Sequence, residues 1–464
     1  MFISLVVVAF YLQEILWAPI NTDAGFYLAV ARLLQASSIL YAEINMSYTP
    51  LGVSFFAVWG HIFGTNFSSY LSSIAFVQFL NSAVIFLISR QLGAKYATAW
   101  LASVVFLFLN YKYEGMCIVL EPFVIFWLLT ATWALFSPKE GLIMPLLAGF
   151  CISMAILSKQ YGLAYIPVLI IYLIWGNPKH KQVYGILGLI LPWIACFIYF
   201  YLLGNLSPGD LWEIWMNNES YGERSIPKAM KAFLFFLLIS IPHIFVLPFS
   251  KDLIAINKHQ IKMLFRMTVL LMAFLGLGAS LYIEQYPHYF QLIIPFGILL
   301  GVYMWAGIKN ELKEWLSFLN TSFANKIVLL GLIFTLTVWG LRFVHAIPQL
   351  FRHDTNSRNT QLKQAEEVQQ YVPQFSEVLL LSYYKQWLNY TNAYRPVLPV
   401  NYGYAFPENQ KDHQLSQLIQ AAKVVLTESY DLEKYPRYKL LLHQFGFKKE
   451  IETPLGIQVW KKDK

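Results

Sequence analysis

The stretch NTDAGFYLAVARLLQ at 21–35 follows directly on FISLVVVAFYLQEILWA at 2–18. The earlier run has the length and apolarity of a helix that crosses hydrocarbon, with Glu14 its sole charge. The later run changes character at once. Asp23 stands at its start, Arg32 near its end, and its apolar residues recur at helical spacing, the pattern of a helix lying along a membrane surface. A crossing segment, an acid at its exit and a surface helix together specify a chain built across and along a bilayer.

Comparable apolar runs recur at about 72–89, 97–110, 117–136, 142–157, 160–175, 183–203, 231–249, 267–284, 288–307 and 326–343, which makes eleven candidates with the first. The runs at 97–110, 142–157 and 160–175 are short or closely spaced, so the count is open by one or two. Composition agrees. Of 464 residues, 57% are hydrophobic and 13% charged, with a mean hydropathy of +0.49, whereas soluble domains carry about a quarter charged residues. These figures exclude an ordinary cytosolic enzyme, a disordered chain and a disulfide scaffold. The recurrence of the runs excludes a single-span anchor. The first run has no basic leader and no small-residue cleavage site, so an uncleaved helix is expected rather than a signal peptide. The scarcity of residues ahead of it creates the expectation that the natural chain begins further upstream.

The net charge of +8 fits loops held against anionic lipid. No basic stretch interleaves with aromatics in the manner of a nucleic-acid module, and no nucleic-acid partner is expected. Cys117, Cys151 and Cys196 are widely separated and read as buried structural thiols. With the N-terminus inside, cytoplasmic segments, carrying for example Arg90, Lys95, Lys258 and Arg266, hold twice as many Lys and Arg as outer segments before the tail. An odd number of spans then places the tail outside.

The expected organisation is a transmembrane domain at 1–344, with a long patterned first outer loop at 19–70, and an extracytoplasmic α/β domain at 345–464. Within the first loop, YTPLGVSFFAVWGHIF (48–63) reads as a second, half-inserted helix. In the tail, helices are expected at 359–371, 412–421 and near 432–445, and strands at EVLLLS (377–382), AAKVVLTES (421–429) and IQVWKK (457–462). Strands alternating with helices predict a small, partly parallel sheet. No internal repeat is evident.

Ionisable residues near hydrocarbon are costly and mark function when they gather on one side. Under the topology above, Asp23, Glu43, Glu114, Glu121, Lys159 with Gln160, and the EQYPHYF segment with Tyr286, His288 and Tyr289 all fall at the outer leaflet. Each has a plainer reading. Asp23 could N-cap the helix beginning at Ala24, and Glu121 could answer a helix dipole. Lys159 could snorkel to the interface, and His288 could be a turn residue within an aromatic belt. Their common sidedness argues for a site. Carboxylates with Lys and His suit an anionic lipid headgroup and a group transferred from it: a carboxylate takes a proton from an attacking hydroxyl, and a cation neutralises a departing phosphate. No Gly-rich phosphate loop, HExxH, GxSxG or CxxC motif is present.

In order, Asp23 with Tyr27, the helix AVARLLQ, Tyr41 and Glu43, Pro50-Leu51, EPF at 121–123, LSKQYG at 157–162 and PHYF at 287–290 form a pattern that resembles the membrane glycosyltransferases of the C superfamily (GT-C). The likeness is to the bacterial branch related to protein O-mannosyltransferases and to the aminoarabinose transferase acting on lipid A. The Arg395-Pro396 turn and the final amphipathic strand of the tail resemble that family's external domain. Two positions depart from the family pattern: Ala24 stands where a second acid is common, and Tyr48 where a Lys often precedes the Pro motif.

The resemblance implies a polytopic helical membrane protein of the plasma membrane with the GT-C fold and about eleven spans. It implies a polyprenyl-phosphate-linked sugar as donor, a lipid, glycan or protein hydroxyl as acceptor, and inversion at the anomeric carbon. Asp23 would be the general base. Lys159, His288 and Tyr289 would hold the leaving phosphate, with Arg224 as helper, and Glu43 and Glu121 would orient the sugar or the base. Tyr27, Tyr48, Gln160 and Tyr286 would complete the substrate-binding set. His288 with the carboxylates could hold a divalent metal; a metal-free site is the expectation. The rival classes are a lipid or glycan transporter, whose ionisable residues belong near the midplane of repeated halves, and a non-catalytic envelope assembly protein, to which Ala24 points.

Overall fold

The computed structural model describes residues 2–216, with breaks at 19, 45, 47, 113–114, 138–140 and 175–178. It further describes 291–292, 294–299 and 302, and then 358–462 with breaks at 375, 382–386, 393, 397–410 and 455. The expected spans at 231–249, 267–284 and 326–343, and most of that at 288–307, lie outside these residues.

The N-terminal part is helical: α1 (Phe2–Trp17), α2 (Thr22–Gln35), α3 (Leu51–Phe63), α4 (Phe67–Gln91), α5 (Tyr96–Lys112), α6 (Glu121–Leu135), α7 (Ile143–Ser158), α8 (Ile166–Ile174), α9 (Lys179–Gly204) and α10 (Pro208–Met216). The expected span at 160–175 is instead a 3-10 turn, Gln160–Tyr165, leading into α8. Among the described helices, α4 and α9 are each long and apolar enough to cross a membrane. Two of these helices begin alike. The side-chain oxygen of Asn21 accepts the Ala24 N–H at 2.7 Å, and that of Asn66 accepts the Ser69 N–H at 2.8 Å, each satisfying a donor that a helix start leaves orphaned. The cap of α2 is therefore Asn21. Asp23 lies inside the first turn, and the capping role open to it from sequence is already filled.

Helix α7 packs between α6 and α9. Its contact with α9 needs glycine: a side chain at Gly149 would meet the carbonyl of Gly185, and one at Gly188 that of Leu146. Small residues of this kind let helix backbones approach without a hydrophobic driving force.

The C-terminal part comprises α11 (Arg358–Gln369), β1 (Glu377–Leu380), α12 (Trp387–Thr391), β2 (Arg395–Pro396), α13 (Lys411–Ala421), β3 (Val424–Glu428), α14 (Ser429–Lys434), α15 (Pro436–Gln444), β4 (Phe447–Glu452) and β5 (Ile457–Lys462). The five strands run in the order β2-β1-β3-β5-β4. β1 pairs parallel with β2 and β3, while β5 lies antiparallel between β3 and β4. Alternate residues serve two cores: Val378, Leu426 and Val459 face the cluster shared with the helical part, and Leu379, Val425 and Trp460 face α13 and α15. Burial on both faces explains the unbroken apolar runs of β1 and β3.

The short helix α12 has no counterpart in the sequence reading, and three further elements differ from expectation. FKKEIE forms the strand β4, concealed in sequence because an edge strand carries charge on its open side. Arg395-Pro396, expected as a turn, is a two-residue edge strand, where proline's missing donor is tolerated. The helix expected near 432–445 is divided into α14 and α15 by Pro436, which opens the second.

Behind β1, the phenol of Tyr394 donates to the Val372 carbonyl at 3.0 Å and accepts from Asn392 Nδ2 at 2.9 Å. Burial pushes its pKa up to about 12. An acid whose folded pKa is raised contributes its full stability below the unfolded value, about 10, and loses it as the pH climbs toward the folded one. The C-terminal part is therefore expected to lose stability between those limits, and Tyr394→Phe to weaken that dependence; buried Tyr390, also raised, contributes to it in the same direction. Alkaline unfolding of both proteins, followed by tyrosinate absorbance, checks this.

Candidate functional site

Glu121 opens α6 with Pro122 behind it, whose fixed φ suits a first helical turn. The approach to this helix is held from α4. Gln78 donates to the Gly115 carbonyl at 2.9 Å, and Asn81 donates to the Pro122 carbonyl at 3.1 Å and to Gln78 Oε1 at 3.1 Å. Both side chains are fully buried. At the other wall, α7 stops at Ser158 and Lys159 adopts an extended backbone, φ −163° and ψ 143°, before the 3-10 turn. That break turns the lysine inward.

Lys159 Nζ lies 2.6 Å from Glu121 Oε1, with the two side chains 2% and 0% exposed. The snorkelling alternative for Lys159 does not hold. The ammonium also sits 5.3 Å from the ring centre of Tyr48 and 4.9 Å from that of Tyr161, within reach of a cation–π attraction. Tyr48 in turn packs on Tyr27 of α2, centroid to centroid 5.7 Å. Asp23 precedes Tyr27 by four residues and so lies on the same helical face, one turn toward the helix start; it is half-buried.

The first loop reaches this place by two devices. Gly52, in the first turn of α3, lies so close to α6 and α7 that a Cβ there would sit 2.7 Å from Leu120 Cδ2 and 3.2 Å from the Ser158 carbonyl. Tyr41, with φ +67° in a region uncommon for non-glycine residues, donates its hydroxyl to the Tyr48 carbonyl at 2.6 Å. Its ring rests on Phe200 and Trp215 of α9 and α10.

The structure thus brings together Tyr27, Tyr48, Glu121 and Lys159, with Asp23 one turn from Tyr27 on the same face of α2. Gln160 is next to the pair but donates to the Trp215 carbonyl at 3.2 Å. Glu43 is not part of the group. It is exposed, and its carboxylate accepts the Ile39 N–H at 2.9 Å within its own turn. Glu114, Arg224, Tyr286, His288 and Tyr289 lie outside the described residues. Tyr161, Gln78 and Asn81 were not singled out from sequence. The last two could have been, as polar residues three apart within an apolar run. Among the described residues no group of three or more His, Cys, Asp or Glu gathers as a metal-ion cluster.

No family model matches this chain, and no curated protein does. Solved structures do. ArnT from Cupriavidus metallidurans bound to undecaprenyl phosphate is 13% identical with a TM-score of 0.66, covering 98% of this chain and 96% of that one. The Archaeoglobus fulgidus oligosaccharyltransferase tethered to an acceptor peptide is 11% identical with a TM-score of 0.51, over 99% of this chain and 74% of that one. The arabinofuranosyltransferase AftD from Mycobacteria is 10% identical with a TM-score of 0.55, over 100% of this chain and 42% of that one. At such identities the likeness is one of fold, carried through almost every residue of the chain. The protein has the polytopic helical fold of the GT-C membrane glycosyltransferases.

Proposed function

We propose that the chain is an inverting glycosyltransferase that moves a sugar from a polyprenyl-phosphate donor to a lipid, glycan or protein hydroxyl at the outer face of the plasma membrane. The observation that carries this reading is the buried Lys159–Glu121 pair, walled by Tyr48 and Tyr27 beside the helix bearing Asp23, in a chain of this fold. A related fold has been solved with undecaprenyl phosphate and another with dolichol-phosphate, which supports the class of donor.

In the proposed reaction Asp23 takes the proton of the acceptor hydroxyl. The oxygen attacks the anomeric carbon from the side opposite the phosphate, the bond from that carbon to the phosphate oxygen breaks, and the polyprenyl phosphate leaves with the electron pair. Displacement from the opposite side inverts the centre. An ammonium can serve up to three acceptors, and in this reading a phosphate oxygen of the bound donor is one of those that Lys159 serves. Glu121 nevertheless offsets the lysine's charge. Neutralising the departing phosphate therefore calls for further cations, and Arg224 and His288, with Tyr289, are assigned that part. Tyr27, Tyr48, Gln160 and Tyr286 line the donor.

Membranes containing the protein, supplied with a polyprenyl-phosphate sugar and extracted envelope lipids or glycans, are expected to form a new glycosidic bond of inverted configuration and to release the polyprenyl phosphate in equal amount. Lipid counterflow in liposomes without any new bond would refute the reading. The placement of the C-terminal part outside has its own check. Leu440 is 70% exposed, and a cysteine put there is expected to react with a membrane-impermeant thiol reagent added to intact cells. Reaction only after lysis would reverse the topology.

A further inference from the structure

Between the end of α1 and the start of α2 the chain passes through Ile20, which is 2% exposed and belongs to neither helix. Its backbone N–H and C=O have no helical partner, and a buried peptide group left unpaired is costly. Both are satisfied by one side chain, 341 residues away. Gln361 of α11 accepts the Ile20 N–H at 2.9 Å and donates to the Ile20 carbonyl at 3.0 Å. A glutamine carboxamide carries the same donor and acceptor as a peptide unit, so here it acts as a one-residue strand laid against the joint. Gln361 itself is 8% exposed.

The same helix holds the preceding turn. Arg358 donates to the Ala18 carbonyl at 3.0 Å, to the Ile15 carbonyl at 3.3 Å and to Ser68 Oγ at 2.7 Å. A cation at the C-terminal end of a helix also suits its dipole. Further along, Arg32 at the end of α2 donates to the Tyr390 and Thr391 carbonyls at 2.8 and 2.9 Å. The C-terminal part thus grips both ends of α2, and its grip at the near end lies three residues before Asp23.

We propose that Gln361 is a positioning residue for Asp23: by pairing with both backbone groups of Ile20, the C-terminal part sets where the first turn of α2, and with it the Asp23 carboxylate, stands. This rests on the reading of Asp23 as the base. It gives the C-terminal part a role in the chemical step beyond any contact it makes with the acceptor, because a displacement of about 1 Å at a reacting group costs on the order of 100-fold in rate.

The test uses the full-length protein. Gln361→Leu removes both bonds. It is expected to lower kcat about 10- to 100-fold with the KM for the donor within about twofold, and to speed amide hydrogen exchange across 18–27 while leaving α4 at its wild-type rate. Gln361→Glu keeps the bond from the Ile20 N–H but sets a carboxylate oxygen against the Ile20 carbonyl. Protonation gives that oxygen a hydrogen to donate, so the ratio of its kcat to wild type is expected to rise as the pH falls through the carboxyl range. A side chain that merely filled space would not produce that pH signature. Wild-type kcat and exchange in Gln361→Leu overturn the proposal. Should Gln361→Leu fail to accumulate, the Gln361→Glu ratio decides alone, and a ratio flat with pH overturns it. An active Asp23→Asn protein overturns the base assignment and this proposal together. An inactive Asp23→Asn beside a fully active Gln361→Leu overturns this proposal only.

Discussion

Asp23→Asn is expected to slow sugar transfer by about 100- to 10,000-fold, the usual contribution of a positioned general base, while leaving the fold in place. The substitution keeps the size and hydrogen-bonding reach of the side chain and withdraws only its capacity to accept a proton at neutral pH. The start of α2 does not depend on it, since Asn21 supplies the cap. The loss of an acid from the first turn costs about 0.3–1 kcal/mol through the helix dipole, too little to unfold a chain of this size. Initial rates at saturating donor, with thermal unfolding in detergent as the control, measure both parts. Equal rates in the two proteins would remove Asp23 from the mechanism.

Lys159→Met and Glu121→Leu are each expected to destabilise the helical part by about 3–5 kcal/mol, because each removes one charge of a close, buried pair. The pair is 2.6 Å apart and the side chains are 2% and 0% exposed, so water cannot make up the loss. Replacing both together removes both charges, and the double variant is expected to regain most of the stability. It should nonetheless be inactive, since no ammonium remains near the leaving phosphate. Thermal or denaturant midpoints of the four proteins, with transfer rates beside them, separate the two contributions. A double variant no more stable than either single one would show that the pair is not coupled, and an active one would make it purely structural.

The pair also marks how far sequence reading reaches. Glu121 and Lys159 both stand out by their place at the edge of apolar runs, and the family resemblance implies separate duties for them, one toward the sugar or the base and one toward the phosphate. They are 38 residues apart. Their contact follows from where α6 begins and α7 ends in space, which Pro122 and the extended backbone at Lys159 only help to set. Asp23 and Asn21 show a smaller ambiguity. Both are good capping residues, and two positions decide whether an aspartate caps a helix or stands on its first turn. Glu43, by contrast, rests on its side of the membrane and on the Tyr41–x–Glu43 spacing, and neither distinguishes a carboxylate facing a site from one bonded within its own turn.

Hydrophobic length and period are local properties, so the chain's own order of residues determined that it is mostly helical and strongly apolar, where most of its described apolar helices lie, though not α10 or α12, and that its last hundred or so residues alternate strands with helices. Polar residues at the ends of apolar runs likewise drew attention to Asp23, Glu121 and Lys159. Tertiary structure alone decided which of them meet. The Lys159–Glu121 pair, the Tyr48 and Tyr161 rings around it, and the Gln361 carboxamide on Ile20 join stretches as much as 341 residues apart. A buried donor or acceptor must find a partner, and nothing in its near neighbours along the chain says how far away that partner will be.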